Sequence, residues 1–227
     1  MIEAIVVDLD DTLCMTEAVS FELENETLKQ IGRPAMPREI HLQTWGRPLF
    51  EAILTRSPGV DVEVFKTTYH PLIAEFTKSG KLDAIPEENY AALDKFLQLG
   101  KTIMVLTSRT HTEVRHLLEP DHLLGARIRT FYYRDNMQYH KPDPRAFDGL
   151  LKDTALQPAQ CVYVGDSVGD AKAANKAGLH FIASLESGLR QMQDFDGIPV
   201  DAFVERFPDV VSVVASLDGS SPTSTSK

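Results

Sequence analysis

The sequence predicts an α/β fold: a doubly wound, mostly parallel sheet with a small α-helical domain inserted after its first strand. Three observations carry this. Short β-branched apolar runs alternate with helical patterns, the alternation lapses between Cys14 and about Ile85, and carboxylates or hydroxyls close several of the apolar runs. A chain of 227 residues with 43% hydrophobic side chains suits one large domain, or a core domain with an insert, and is long enough for a dry interior.

Ile2-Glu3-Ala4-Ile5-Val6-Val7 stops abruptly at Asp8-Leu9-Asp10-Asp11-Thr12, as a strand buried on both faces does before a loop. The following segment has helical patterns over Glu17 to Ile31, Leu49 to Thr55 and Val62 to Lys78, with no convincing strand. Gly32-Arg33-Pro34 and Ser57-Pro58-Gly59 separate those helices, and Ser79-Gly80 with Pro86 marks the return to the sheet. Helices at Glu87 to Leu99, Thr112 to Leu118, Pro144 to Lys152 and Asp170 to Ala177 then alternate with strands at Thr102 to Leu106, Cys161 to Val164 and, more weakly, Leu179 to Ala183. The expected division is 1–13 with 86–217 as the sheet-bearing core, 14–85 as the helical insert, and 218–227, rich in Ser, Thr, Pro and Gly, as a disordered tail.

Acidic side chains number 33 against 23 basic ones, a net charge of −10. That charge repels polyphosphate, and no run of Lys and Arg offsets it, so a nucleic-acid polymer is not an expected partner. Cys14 and Cys161 lie in or beside apolar runs, which suits free thiols in a reducing compartment. Apolar stretches such as Val210 to Ala215 fall far short of a membrane span and no basic segment leads the N-terminus, so the protein is expected to be soluble and cytoplasmic, without a membrane partner. Composition leaves the oligomeric state open. His111 and His116, the tightest candidate metal pair among the histidines, have a spacing that suits one helical face poorly, and zinc is not expected.

Asp8, Asp10 and Asp11 crowd one loop, where carboxylates about 4 Å apart repel by roughly 4 kcal/mol per pair in an effective dielectric near 20. Either a cation offsets this, or the triplet is an Asp-rich turn capped by Thr12. What decides is the ordered set downstream. Thr107-Ser108 closes the second buried run, Lys141 precedes Pro142-Asp143-Pro144, and Gly165-Asp166-Ser167-Val168-Gly169-Asp170 closes the third, each where a parallel sheet presents residues at its ligand-binding edge. In this order the chain resembles the haloacid dehalogenase-like superfamily of hydrolases, and within it the capped phosphatases similar to phosphoglycolate phosphatases. Asp-x-Asp-x-Thr falls on Asp8 to Thr12, the hydroxyl on Thr107, the lysine on Lys141, and Gly-Asp-x-x-x-Asp on Gly165-Asp166 to Asp170. The match spans positions 8 to 170, and the insert resembles the superfamily's cap on a Rossmann-like core.

A phosphoryl group carries dispersed negative charge, so cleaving its ester is mainly a matter of positioning and electrostatic stabilisation. Mg²⁺ suits that task, taking one or two carboxylates together with phosphate and water, and Asp8 and Asp166 are the candidate ligands. The resemblance implies further that Asp8 is the nucleophile, forming an aspartyl-phosphate, and that the backbone carbonyl of Asp10 completes the metal's protein ligands. Asp10 would protonate the leaving oxygen and later take a proton from water. Lys141 would offset charge on the nucleophile and phosphoryl oxygens, and Thr107 would hydrogen-bond one of the latter. Asp170 either orients the metal's shell or Lys141, or is an N-terminal helix acid favoured by the dipole.

The superfamily's dehalogenases generally lack the second aspartate, so Asp10 points to phosphate chemistry. Asp11 stands where related phosphatases often carry glycine, which weakens the transfer of any one substrate. Ser108, Arg109 and Arg47 are substrate-binding candidates: Arg109 either meets an acidic substrate group or lies at the surface, and Arg47, in Trp45-Gly46-Arg47-Pro48, either serves a lid or is solvated on a loop. The expected protein is a Mg²⁺-dependent phosphatase of a small phosphorylated metabolite. A mutase of the beta-phosphoglucomutase type would use the same residues; a nucleotidase and a non-enzymatic Mg²⁺- or phosphate-binding protein are the other readings. Mere binding requires no nucleophile with an acid beside it, which disfavours the last.

Overall fold

β1 (Ala4–Val7), β2 (Thr102–Leu106), β3 (Thr130–Tyr132), β4 (Cys161–Gly165), β5 (His180–Ser184) and β6 (Ala202–Val204) form one parallel sheet in the order β3-β2-β1-β4-β5-β6. The computed structural model describes residues 1–45, 47, 49–119 and 121–219. Two compact units emerge, one built from Met1–Leu13 and the chain from Ile85 onward, the other from Cys14–Ala84. The second holds α1 (Thr16–Gln30), α2 (Arg38–Thr44), α3 (Leu49–Arg56) and α4 (Val62–Lys78); the first holds α5 (Glu87–Gln98), α6 (His111–Val114), α7 (Asp148–Thr154), α8 (Val168–Ala177) and α9 (Val210–Gly219).

The period-two geometry of a strand sorts the sheet's side chains into two cores. Ile5, Val7, Val105 and Val164 pack on one face with Phe96 of α5 and Val214 of α9. Val6, Met104, Leu106 and Tyr163 pack on the other with Leu150 of α7 and Ala174 of α8. Strand order turns about β1, which lies between β2 and β4, and ligands of such sheets bind at the carboxyl end of that turning point. The register sets Val7 level with Val105 and Val164, so the residues that follow all three strands emerge together.

The α/β class read from the sequence is the observed one. β3 and β6, three residues each, are too short to show periodicity, and α2 is a single polar seven-residue segment. α9 is rich in valine, a strand former, yet Val210 and Val214 recur one helical turn apart and are buried, so tertiary packing overrides propensity. Asp218 and Gly219, expected in a disordered tail, instead end α9: Asp218 accepts hydrogen bonds from the Ile2 amide at 2.5 Å and Lys101 Nζ at 2.7 Å. The rest of that expected tail, 220–227, lies outside the described residues.

Unit Cys14–Ala84 has its own apolar core, with Leu28, Ile53 and Phe65. Asp61 caps α4, its carboxylate accepting from the amides of Glu63 and Val64. Beside that core a charged group is buried. His41 Nδ1 lies 2.7 Å from Glu17 Oε1 and its Nε2 3.2 Å from Glu24 Oε1, while Arg56 Nη1 donates to both Glu24 oxygens at 2.6 and 2.7 Å. Arg56 also donates to the Thr44 hydroxyl and carbonyl, fixing the end of α2 against α3. Both cysteines are buried and free, and among the described residues no helix is long and apolar enough to cross a membrane.

Candidate active site

Asp8 leaves β1 as its last strand-like residue, its amide donating to the Val164 carbonyl at 2.9 Å and one carboxylate oxygen accepting from the Leu9 amide at 2.8 Å. The other oxygen accepts from Lys141 Nζ at 2.7 Å. The same ammonium donates to Asp170 Oδ1 at 2.7 Å and to the Tyr163 hydroxyl oxygen at 2.7 Å. Residues far apart in the chain thereby meet beyond β1 and β4.

Asp170 is fixed in the first turn of α8. In the capping box of α8 the Asp170 amide donates to Ser167 Oγ, while Asp170 Oδ2 accepts from the Ser167 amide at 3.0 Å and its hydroxyl at 2.6 Å. Asp170 is thus an acid in the first turn of α8 whose other carboxylate oxygen faces Lys141. A methyl group on Gly165 would come within 2.8 Å of Asp170 Cβ, Cγ and Oδ2, so glycine is what lets the strand end approach that carboxylate.

Carboxylate oxygens of Asp8, Asp166 and Asp170 lie within 4.8 Å of one another. Burial pushes the Asp8 carboxyl up to about 7 against the pull of Lys141, with Asp170 and Asp10 adding repulsion. Burial, then Asp170, Asp8 and Asp11, raises Asp166 well above the usual carboxylate range. Burial opposes the charge on Lys141, but Asp170 and Asp8 outweigh it and hold the ammonium above its ordinary value. A concentrated negative charge with oxygen donors only is a fit for a hard divalent cation. Asp11 has φ 56°, a left-handed conformation that glycine adopts freely and aspartate tolerates.

Of the two readings of Arg109, the surface one does not hold: the side chain is 8% exposed, its Nη2 donates to Asp10 Oδ1 at 2.7 Å and its Nε to both Asp10 oxygens at 3.0 and 3.2 Å. A buried guanidinium needs a carboxylate, and Asp10 at the neighbouring strand end supplies it. The Asp10 carboxylate is thus paired with Arg109 while still adding its charge to that of Asp8. Thr107 is fully buried beyond β2, its amide donating to the Tyr132 carbonyl and its hydroxyl accepting from the Arg109 amide. Ser108 is exposed on that loop, and Arg47 is exposed in the unit Cys14–Ala84.

Sequence reasoning passed over Tyr163, and it placed Gly165 and Ser167 in a motif without giving either a role. Tyr163 carried a signal: a tyrosine inside a strand buried on both faces must find a partner for its hydroxyl. That partner is the Leu106 carbonyl at 3.1 Å or Asp170 Oδ1 at 3.3 Å.

The sequence profile of a family described as haloacid dehalogenase-like hydrolase matches residues 5–184, which includes all these strand ends. The chain belongs to that family. This haloacid dehalogenase-like hydrolase is 26% identical over 225 residues to a phosphoglycolate phosphatase of Photobacterium profundum, covering 94% of this chain and 96% of that one. It is 24% identical over 213 residues to the pyrophosphatase PpaX of Bacillus velezensis, covering 93% and 96%. Among solved structures, CbbY of Rhodobacter sphaeroides in complex with phosphate shares the fold at a TM-score of 0.71 and 22% identity, over 92% of this chain and 96% of that one. A Thermotoga maritima protein described as a candidate beta-phosphoglucomutase does so at 0.80 and 21%, over 95% and 99%.

Proposed function

We propose that this hydrolase is a Mg²⁺-dependent phosphatase acting on a small phosphorylated metabolite, a phosphoglycolate-like phosphomonoester, through an aspartyl-phosphate. One observation carries the reading: a buried lysine ammonium lies 2.7 Å from a strand-end carboxylate, inside a cluster of acidic oxygens suited to a divalent cation. The similarity to a phosphoglycolate phosphatase and a pyrophosphatase supports phosphate chemistry.

Asp8 attacks phosphorus, forming the P–O bond of the acyl phosphate as the ester's P–O bond breaks. Asp10 gives its proton to the departing alkoxide, then takes one from the water that displaces Asp8 and releases inorganic phosphate. To do so it must part from Arg109, with which it is paired. Lys141 balances charge on Asp8 and the phosphoryl oxygens, and Thr107 donates to one of those oxygens. Asp170 already accepts from Lys141 and twice from Ser167, so it orients Lys141, leaving Asp8, Asp166 and the Asp10 carbonyl to hold Mg²⁺. When bound, Mg²⁺ would draw charge from the phosphoryl oxygens and favour ionised Asp8.

The inserted unit is read as a cap. Its Arg47, with Ser108 beside the site, is a candidate for recognising the rest of the substrate. That both buried cysteines are free fits a reducing cytoplasm.

The test is phosphate release from p-nitrophenyl phosphate, phosphoglycolate, sugar phosphates, nucleoside monophosphates and pyrophosphate, with and without Mg²⁺, in wild type and Asp8→Asn. Mg²⁺-dependent release that Asp8→Asn abolishes in a folded protein is expected. Full activity in that variant would remove Asp8 from the mechanism, and no release from any compound would overturn the phosphatase. Isomerisation of a sugar phosphate that requires a bisphosphate would identify a mutase.

A further inference from the structure

We propose that Tyr163 is a positioning residue, its hydroxyl oxygen fixing the ammonium of Lys141 beside Asp8; this rests on the reading of Lys141 as the cation at the phosphoryl group. An ammonium has three N–H donors. Lys141 Nζ lies 2.7 Å from each of three acceptors, Asp8 Oδ2, Asp170 Oδ1 and Tyr163 Oη, one for each donor. Two acceptors alone would leave one N–H of this buried ammonium without a protein partner. The phenol supplies it and gives the nitrogen a third point of attachment.

Tyr163 is built to hold its place. Its ring is fully buried on β4, edge-on to Phe147 at 5.1 Å and 6.3 Å from Phe181, and its own proton goes to the Leu106 carbonyl or Asp170. The oxygen lone pairs are left for Lys141. A phenol supplies this anchor without adding a negative charge that would compete with the phosphoryl group. When Asp8 becomes esterified its carboxylate charge is spent, and the Lys141–Asp8 hydrogen bond weakens. Tyr163 and Asp170 keep the ammonium in place through the second half of the reaction.

The test compares wild type with Tyr163→Phe, which keeps the ring, and with Tyr132→Phe as a control. Tyr132 is also buried, but its hydroxyl donates to Asp153 at 2.9 Å, away from Lys141. Two readouts are used: Mg²⁺-dependent turnover of p-nitrophenyl phosphate, and the proton–nitrogen NMR signal of the Lys141 ammonium, assigned by its loss in Lys141→Met. Wild type is expected to show a slowly exchanging ammonium signal. In Tyr163→Phe that signal should shift or broaden and kcat should fall roughly 10- to 100-fold with KM little changed, while Tyr132→Phe alters neither. The proposal is overturned by a wild-type signal that exchanges like a solvated lysine, by an unchanged signal in Tyr163→Phe whatever its activity, or by an equal loss in Tyr132→Phe. The NMR readout needs no turnover, so failure of the phosphatase reading would show separately, as an inactive wild type whose ammonium still responds to Tyr163→Phe.

Discussion

Asp8 holds its proton more tightly than an ordinary carboxyl, about 7 against 3.8, because burial and the neighbouring acids disfavour its charge. A group raised in this way favours the metal-free folded state fully below the ordinary value, and that contribution is lost as pH rises through about 7. A cation bound by the ionised carboxylates reverses the penalty, so Mg²⁺ should raise the melting temperature more at about pH 8 than at about pH 6. Melting curves with and without Mg²⁺ at both values check this; an increment independent of pH would contradict it. Gly165 is a second sensitive position. Gly165→Ala should cost about 1–3 kcal/mol by overpacking and, by pushing Asp170 away from Lys141, lower kcat by on the order of 100-fold. Denaturant titration and steady-state kinetics read the two effects. The acids and Lys141 could be singled out from sequence because each follows a readable strand or precedes a proline. Arg109 could not be placed, because the carboxylate that accounts for its burial is 99 residues away in the chain.

Among the elements, α1, α2 and α3 are joined by ionised side chains as well as by apolar packing. Arg56 faces Glu24 with both partners almost wholly out of water, so removing only the guanidinium leaves a buried carboxylate with His41 alone beside it. Arg56→Met should destabilise unit Cys14–Ala84 by about 3–5 kcal/mol, and Glu24→Leu with Arg56→Met should recover much of that loss. Urea unfolding of both variants distinguishes this from a packing defect, for which the double variant would be the worse of the two. The network was not legible in the sequence. Glu17 and Glu24 lie one turn-pair apart on α1 and read as solvated helix acids, and only the fold brings His41 and Arg56 to them. Longer elements were readable for the converse reason: strands β1, β2 and β4 are continuous apolar runs buried on both faces, whose identity depends on local composition alone.

At the scale of the whole molecule, the two ends of the sheet differ in what they hold. Asp8, Thr107 and Asp166 leave the strands at their carboxyl ends, whereas the Ile2 amide and carbonyl, Lys101 Nζ and Asp218 meet where β1 and β2 begin. The first and last described elements are therefore clasped together at the end of the sheet opposite the candidate site. A circularly permuted chain, with Gly219 spliced to Met1 through a few flexible residues and new termini opened elsewhere on an exposed loop, should keep its fold and turnover. Circular dichroism and phosphate release measured on such a rewired protein would show whether this clasp is a mere join or a requirement for folding.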